Sequence, residues 1–197
     1  MYDHWASVWG NAISISENRP ESYNKDLTFR YPIYTQFGGK AVRLTFDNFC
    51  GTEKVTFNRV TVFIGGKFYP VTFGGRREVT IGAGKNTISD ELPCDIEPQS
   101  LITVSFWFKD FTQLRSAVFT SGPLTEGYYA MGDMTETELI PKEIERSISV
   151  IYFLSNISVL TPADNRTIVC YGDSITAQDW PEYLTLRCNR EEKLHTA

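Results

Sequence analysis

The chain has 197 residues, with 24 acidic and 19 basic side chains and a formal net charge of −5. The two signs are interspersed and no basic stripe is present, which argues against a nucleic-acid binder. No apolar run approaches the ~20 residues of a membrane span. A hydrophobic content of 42% with 14% aromatics can build the core of one large domain, or of one domain plus part of another.

The first residues, MYDHWASVWGNAISIS, lack a basic segment followed by an apolar core. No signal peptide is read, and a cytoplasmic location is expected. If the start is a processed one, a removed export signal stays compatible with it. Cys50, Cys94, Cys170 and Cys188 are widely spaced with no C-x-x-C pair. That argues against a disulfide scaffold and against a zinc site, and nothing calls for a metal or cofactor. Cys170 is expected as a small core residue. Asn156-Ile-Ser158 and Asn165-Arg-Thr167 fit the glycosylation pattern; without an export signal both read as chance.

Residues 1 to about 162 read as all-β, with short strands every ten residues or so and glycine-rich punctuation. Residues 41–49 alternate, with Val42, Leu44 and Phe46 on one face and Arg43, Thr45 and Asp47 on the other, the pattern of a half-buried strand. Residues 48–51 form a turn and 55–64 the next strand. Gly65-Gly66 and Gly74-Gly75 stand between strand-like runs as two-residue hairpin turns. Pro70 marks the intervening strand as an edge or a bulge, and residues 82–85 make the following turn.

Residues 101–109 place Ile102, Val104, Phe106 and Phe108 on a core face and Thr103, Ser105 and Trp107 on the other. Trp107 is either a stacking platform for a sugar, a contact for a second domain, or an aromatic covered by a loop. Residues 121–147, with Gly122-Pro123 and the pair Tyr128-Tyr129, read as a long connection, functional or loosely ordered. Pro141 limits any helix in 137–145. Residues 147–160 are apolar on both parities at first, as in a strand buried on both sides. Residues 161–166, TPADNR, read as a linker. Seven or more antiparallel strands with hairpins and no long helix point to a β-sandwich of jelly-roll type.

The stretch RTIVCYGDSITAQDWPEYLTL, residues 166–186, changes character. Residues 167–171 read as a buried strand, β-branched at three of five positions. Gly172-Asp173-Ser174 is a tight turn. Asp179 caps a helix with Pro181 in its first turn and Glu182 three residues after the cap, a capping-box spacing. A serine between a strand and a helix start is well placed to act as a nucleophile, with free backbone N–H groups available to an oxyanion; an ordinary strand-to-helix turn that happens to hold a serine is the plainer reading. Thr176 stands where the G-x-S-x-G elbow needs glycine.

At GDSIT, flanked by TIVCY and ITAQDWPEYL, the chain resembles the SGNH (GDSL-type) hydrolases, a family of serine esterases and acyl-hydrolases. The resemblance puts the nucleophile on Ser174, an oxyanion donor on its N–H, and the motif's turn on Gly172 and Asp173. HWASVWGNAIS, AVRLTFDNFCG, VTFGGRREVTI and Ser89-Asp90 are similar to a β-sandwich module that precedes the hydrolase domain in some bacterial members. It implies a mainly β chain, 1–162 a carbohydrate-binding-like jelly-roll sandwich and 163–197 the first strand and helix of an α/β, flavodoxin-like hydrolase domain. The family's remaining blocks, an oxyanion glycine and asparagine and an Asp-x-x-His, are not found in the 23 residues after Ser174. A hydrolase domain cut short, and a chain inactive alone, are therefore expected. Its last segment is expected to associate with the rest of that domain or with another chain.

Two histidines compete for the base. His195, in Glu192-Lys193-Leu194-His195, mimics the family spacing. A helix running from Asp179 to about residue 191 would carry it roughly 15 Å or more from the serine, and a base must lie within about 3 Å. His4, beside Trp5, is expected to be structural or exposed. The function implied is cleavage of small acyl esters, an acetylated sugar among them. The alternative is a non-catalytic carbohydrate- or ligand-binding sandwich using Trp107, Tyr128 and Tyr129. A third reading is a module that only orders the hydrolase domain. No nucleic-acid or membrane partner is expected.

Overall fold

The computed structural model of the chain describes residues 1–14 and 22–190. Its strands form two main sheets, and every pairing among the described residues is antiparallel. One sheet runs in the order Arg146–Ser147, Tyr128–Met131, Leu27–Tyr34, Leu101–Phe108, Arg59–Ile64, Lys67–Pro70. The other runs His4–Gly10, Leu154–Thr161, Gly39–Asp47, Leu92–Ile96, with Asn86–Ile88 also on Gly39–Asp47. Three two-stranded ladders complete the pairing among the described residues.

The alternation read in the sequence explains how the sheets meet. Ile102, Val104, Phe106 and Phe108 are fully buried, as are Val42, Leu44 and Phe46 from the opposite sheet. Phe106 meets Phe46 edge-on at 5.4 Å between ring centroids and packs near Phe29, Phe57 and Phe108. The result is a mainly β, sandwich-like body with one aromatic core. Both glycine pairs take positive φ, 56° and 76° at Gly65-Gly66 and 59° and 76° at Gly74-Gly75, the values a type I′ hairpin turn needs. Pro70 lies on an edge strand, where its missing N–H costs no ladder bond.

Three expectations are corrected. The run 55–64 is two strands, Val55–Phe57 and Arg59–Ile64, in different ladders. The run 147–160 is broken at Phe153, whose φ of 61° turns the chain from Val150–Tyr152 into Leu154–Thr161 while its ring stays fully buried. The connection 121–147 contains the strand Tyr128–Met131, paired with Leu27–Tyr34, and is tied down along its length.

That tie explains why the second face of Leu101–Phe108 is also buried. Arg30, 7% exposed, donates from Nε to Ser105 Oγ at 3.1 Å and from its Nη atoms to the carbonyls of Met134 (2.7 Å) and Glu138 (3.2 Å). Thr28 and Thr61 hydroxyls donate to the carbonyls of Gly132 and Thr135, each at 2.6 Å. Replacing Arg30 by Leu strips the donors from these carbonyls and is expected to cost about 3 kcal/mol. Urea unfolding checks this; a loss below about 1 kcal/mol would mean the segment is held by something else.

Tyr31 is fully buried beside Phe29. Its hydroxyl donates to Val150 O at 3.2 Å and accepts from the Tyr152 N–H at 2.9 Å, stitching the ladder strand Val150–Tyr152 to the sandwich. Burial holds this phenol protonated well above its ordinary range. An acid with a raised folded-state pKa contributes stability that is complete below its unfolded value, about 10, and is lost as pH rises past it. Urea midpoints are therefore expected to hold to about pH 9 and fall beyond about pH 10, less steeply in Tyr31→Phe. Equal steepness in the two proteins would contradict this.

Candidate functional site

Beyond Thr161 the chain turns back along the edge of the five-stranded sheet. Residues 167–171 do not form the expected buried strand: Val169 is 85% and Tyr171 101% exposed. Among the described residues the run makes one hydrogen bond to the edge strand His4–Gly10, Thr167 Oγ1 to Ser7 O at 2.8 Å. β-branched apolar residues become a buried strand only when other strands cover them, and none does so among the described residues. Cys170 is accordingly half-buried and outside the core.

The turn after it is well defined. Asp173 Oδ1 accepts from the Ile175 N–H at 3.0 Å, and its carbonyl accepts from the N–H groups of Thr176 and Ala177. A Cβ on Gly172 would sit 2.1 Å from Thr176 Oγ1, so only glycine lets the turn close this tightly. Ser174 projects from the turn into solvent, and neither its hydroxyl nor its N–H has a hydrogen-bond partner among the described residues.

The helix Trp180–Arg190 then starts where expected, with the Asp179 carbonyl accepting from the Glu182 and Tyr183 N–H groups. None of its residues is buried. Glu182 does not complete a capping box. Its carboxylate reaches the sandwich instead, accepting from the Leu124 N–H and the Thr125 hydroxyl, each at 2.6 Å. A second tie runs from Asn11 Nδ2 to Ala177 O at 3.3 Å. Sequence reading missed Glu182, Gly122 and Asn11 as contact residues; the Gly122-Pro123 dipeptide marked a turn but not what rests on it.

Between this segment and the edge strand lies a cleft of about 540 Å³. Its walls include Trp9, Tyr34, Asn11 and Asn156 from the sandwich and Gly172 and Asp173 from the turn. Ser174 stands beside the cleft rather than in its wall. The free thiols of Cys170 and Cys188 both border it.

Among the described residues no histidine is brought to the serine. His4 pairs with Thr161 at the far end of the strand whose other end, Gly10, adjoins the Asn11–Ala177 tie; at about 3.3 Å per residue this is roughly 20 Å along the strand. His195 lies outside the described residues. The expected ligand aromatics are also elsewhere. Trp107 is half-buried, donates from Nε1 to Asp26 at 3.0 Å, and pairs with Thr28 and Arg59, away from the end of its strand that meets Tyr34. Tyr128 donates to Glu126 at 2.7 Å, a bond that pushes its phenol up to about 12, and Tyr129 packs against the core near Phe29. These three residues are parts of the sheet and its cover. No group of His, Cys, Asp and Glu that could hold a metal occurs among the described residues, and no described helix is long and apolar enough to cross a membrane.

No protein-family profile matches this chain. No curated protein matches it either.

Proposed function

We propose that the chain is the β-sandwich and nucleophile-bearing part of an SGNH-type serine esterase. It would act on small acyl esters, with an acetylated sugar a fitting substrate. What supports this is a single observation: the turn around Ser174. The Asp173 carboxylate and carbonyl take up the N–H groups of Ile175, Thr176 and Ala177, while the Ser174 hydroxyl and N–H stay open beside a cleft of substrate size.

In this reading Ser174 Oγ attacks the acyl carbonyl and the Ser174 N–H donates to the oxyanion. A histidine oriented by an aspartate takes the serine proton and returns it to the leaving alcohol; water then releases the acyl group. That pair comes from outside the described residues, and without it the hydroxyl has only the reactivity of a free alcohol. The sandwich is read as a jelly-roll module lining one side of the cleft.

The test is hydrolysis of p-nitrophenyl acetate by residues 1–197 and by a longer gene product carrying a downstream Asp-x-x-His. Turnover only in the longer protein supports the proposal; equal turnover by both contradicts it. A non-catalytic ligand-binding sandwich is the second reading, favoured by Trp9 and Tyr34 sharing the cleft with the amides of Asn11 and Asn156. Stacking rings beside neutral amides suit a sugar. Saturable glycan binding with no ester turnover in either protein would favour it.

A further inference from the structure

We infer that Glu182 is a latch: it fixes the first turn of the helix Trp180–Arg190 to the sandwich, and so makes the sandwich a wall of the cleft beside Ser174. The contact is built from both sides. Glu182 Oε2 accepts from the Leu124 N–H and Oε1 from the Thr125 Oγ1, each at 2.6 Å. Charge-assisted bonds of this length are about twice as strong as neutral ones, and two of them fix direction as well as distance.

Gly122 supplies the room. The three atoms nearest a Cβ placed there, at 2.1, 2.4 and 2.9 Å, all belong to the Glu182 side chain, and Gly122 does not use a left-handed backbone. The Glu182 carboxylate is thus the first obstacle an alanine would meet there. The receiving loop is itself anchored, since Thr125 is buried and bridges Ile33, while the Tyr34 N–H donates to Leu124 O at 2.8 Å.

The helix needs such a latch. It buries no residue of its own, so apolar packing contributes little to its docking. Two further hydrogen bonds join the segment to the sandwich, Asn11 to Ala177 and Thr167 to Ser7, and Ala177 packs against the core. The Ser174 turn, by contrast, is closed by its own bonds from Asp173. Releasing Glu182 therefore opens the cleft while leaving the turn intact, which makes Glu182 a positioning residue rather than a catalytic one.

The test uses Glu182→Ala and, from the opposite side, Gly122→Ala. Hydrogen exchange at the Leu124 amide and proteolytic cleavage within residues 163–179 are each expected to accelerate about tenfold. Exchange in the strand Leu101–Phe108 should not change. Should Gly122→Ala fold poorly, Glu182→Ala carries the test alone. Unchanged exchange and cleavage in Glu182→Ala would overturn the latch.

The positioning role rests on the esterase reading. In a protein that hydrolyses p-nitrophenyl acetate, Glu182→Ala is expected to raise KM about tenfold with kcat within about twofold, the pattern of lost ground-state binding. A fall in kcat at unchanged KM would overturn the positioning role. Faster exchange in a chain that never hydrolyses esters would leave the latch standing and remove the esterase.

Discussion

If the esterase proposal holds, Ser174→Ala is expected to lower hydrolysis by an ester-hydrolysing preparation of the protein by about 10⁴-fold or more while leaving its unfolding midpoint unchanged. The two halves of this expectation have separate causes. The loss follows from covalent catalysis: without Oγ no acyl-enzyme forms, and only binding and oxyanion stabilisation remain to accelerate attack by water. The unchanged stability follows from the geometry. The Ser174 side chain is exposed and has no hydrogen-bond partner among the described residues. Exposed substitutions away from caps and networks change stability by roughly 0.5 kcal/mol or less. Paired rate and unfolding measurements on the two proteins check it. A variant that kept a tenth of the activity would mean that another nucleophile does the work.

Phe106→Ala should be the most damaging single change to the fold, at about 3–5 kcal/mol, which lowers the melting temperature by roughly 10 °C in a domain of this size. Phe106 is fully buried on one of the two central strands of the six-stranded sheet. Its ring lies between 5.4 and 5.8 Å from those of Phe29, Tyr31, Phe46, Phe57 and Phe108. Removing it opens a cavity bounded by both sheets, and five rings on paired strands cannot collapse into it without breaking ladder bonds. Calorimetry gives the melting temperature. A fall of only two or three degrees would indicate that the sheets close over the gap, and that packing is looser than the ring geometry implies.

The β architecture was legible where burial is one-sided and turns are chemically specified. Residues 41–47 and 101–108 carried a period of two, and Gly65-Gly66 and Gly74-Gly75 fixed two hairpin ends through their positive φ. It was not legible where a buried residue turns the chain without a glycine or proline, as at Phe153. Nor was it legible where a polar strand face is covered by a distant segment, as Arg30 covers Ser105 with the carbonyls of residues 134–138. Such pairings depend on tertiary contacts that local patterning does not encode.

The segment 167–190 was legible in its turn and its helix, because both are specified locally by Gly172, Asp173, Asp179 and Pro181. The strand 167–171 was not, because a buried strand is a property of its neighbours as much as of its own residues. Glu182 misled for a related reason. The spacing to Asp179 fits a capping box, yet the stronger partners are an amide and a hydroxyl more than 50 positions away in sequence. Trp107, Tyr128 and Tyr129 were singled out by their chemistry and turn out to be held in the sheet and its cover.

The most direct test of the central claim is covalent capture. An ester-hydrolysing preparation of the protein is treated with diethyl p-nitrophenyl phosphate, and the modified peptide is identified by mass spectrometry. The account predicts one diethylphosphoryl group per chain, on Ser174, formed in step with loss of activity. Full inactivation with the label on any other residue would contradict it.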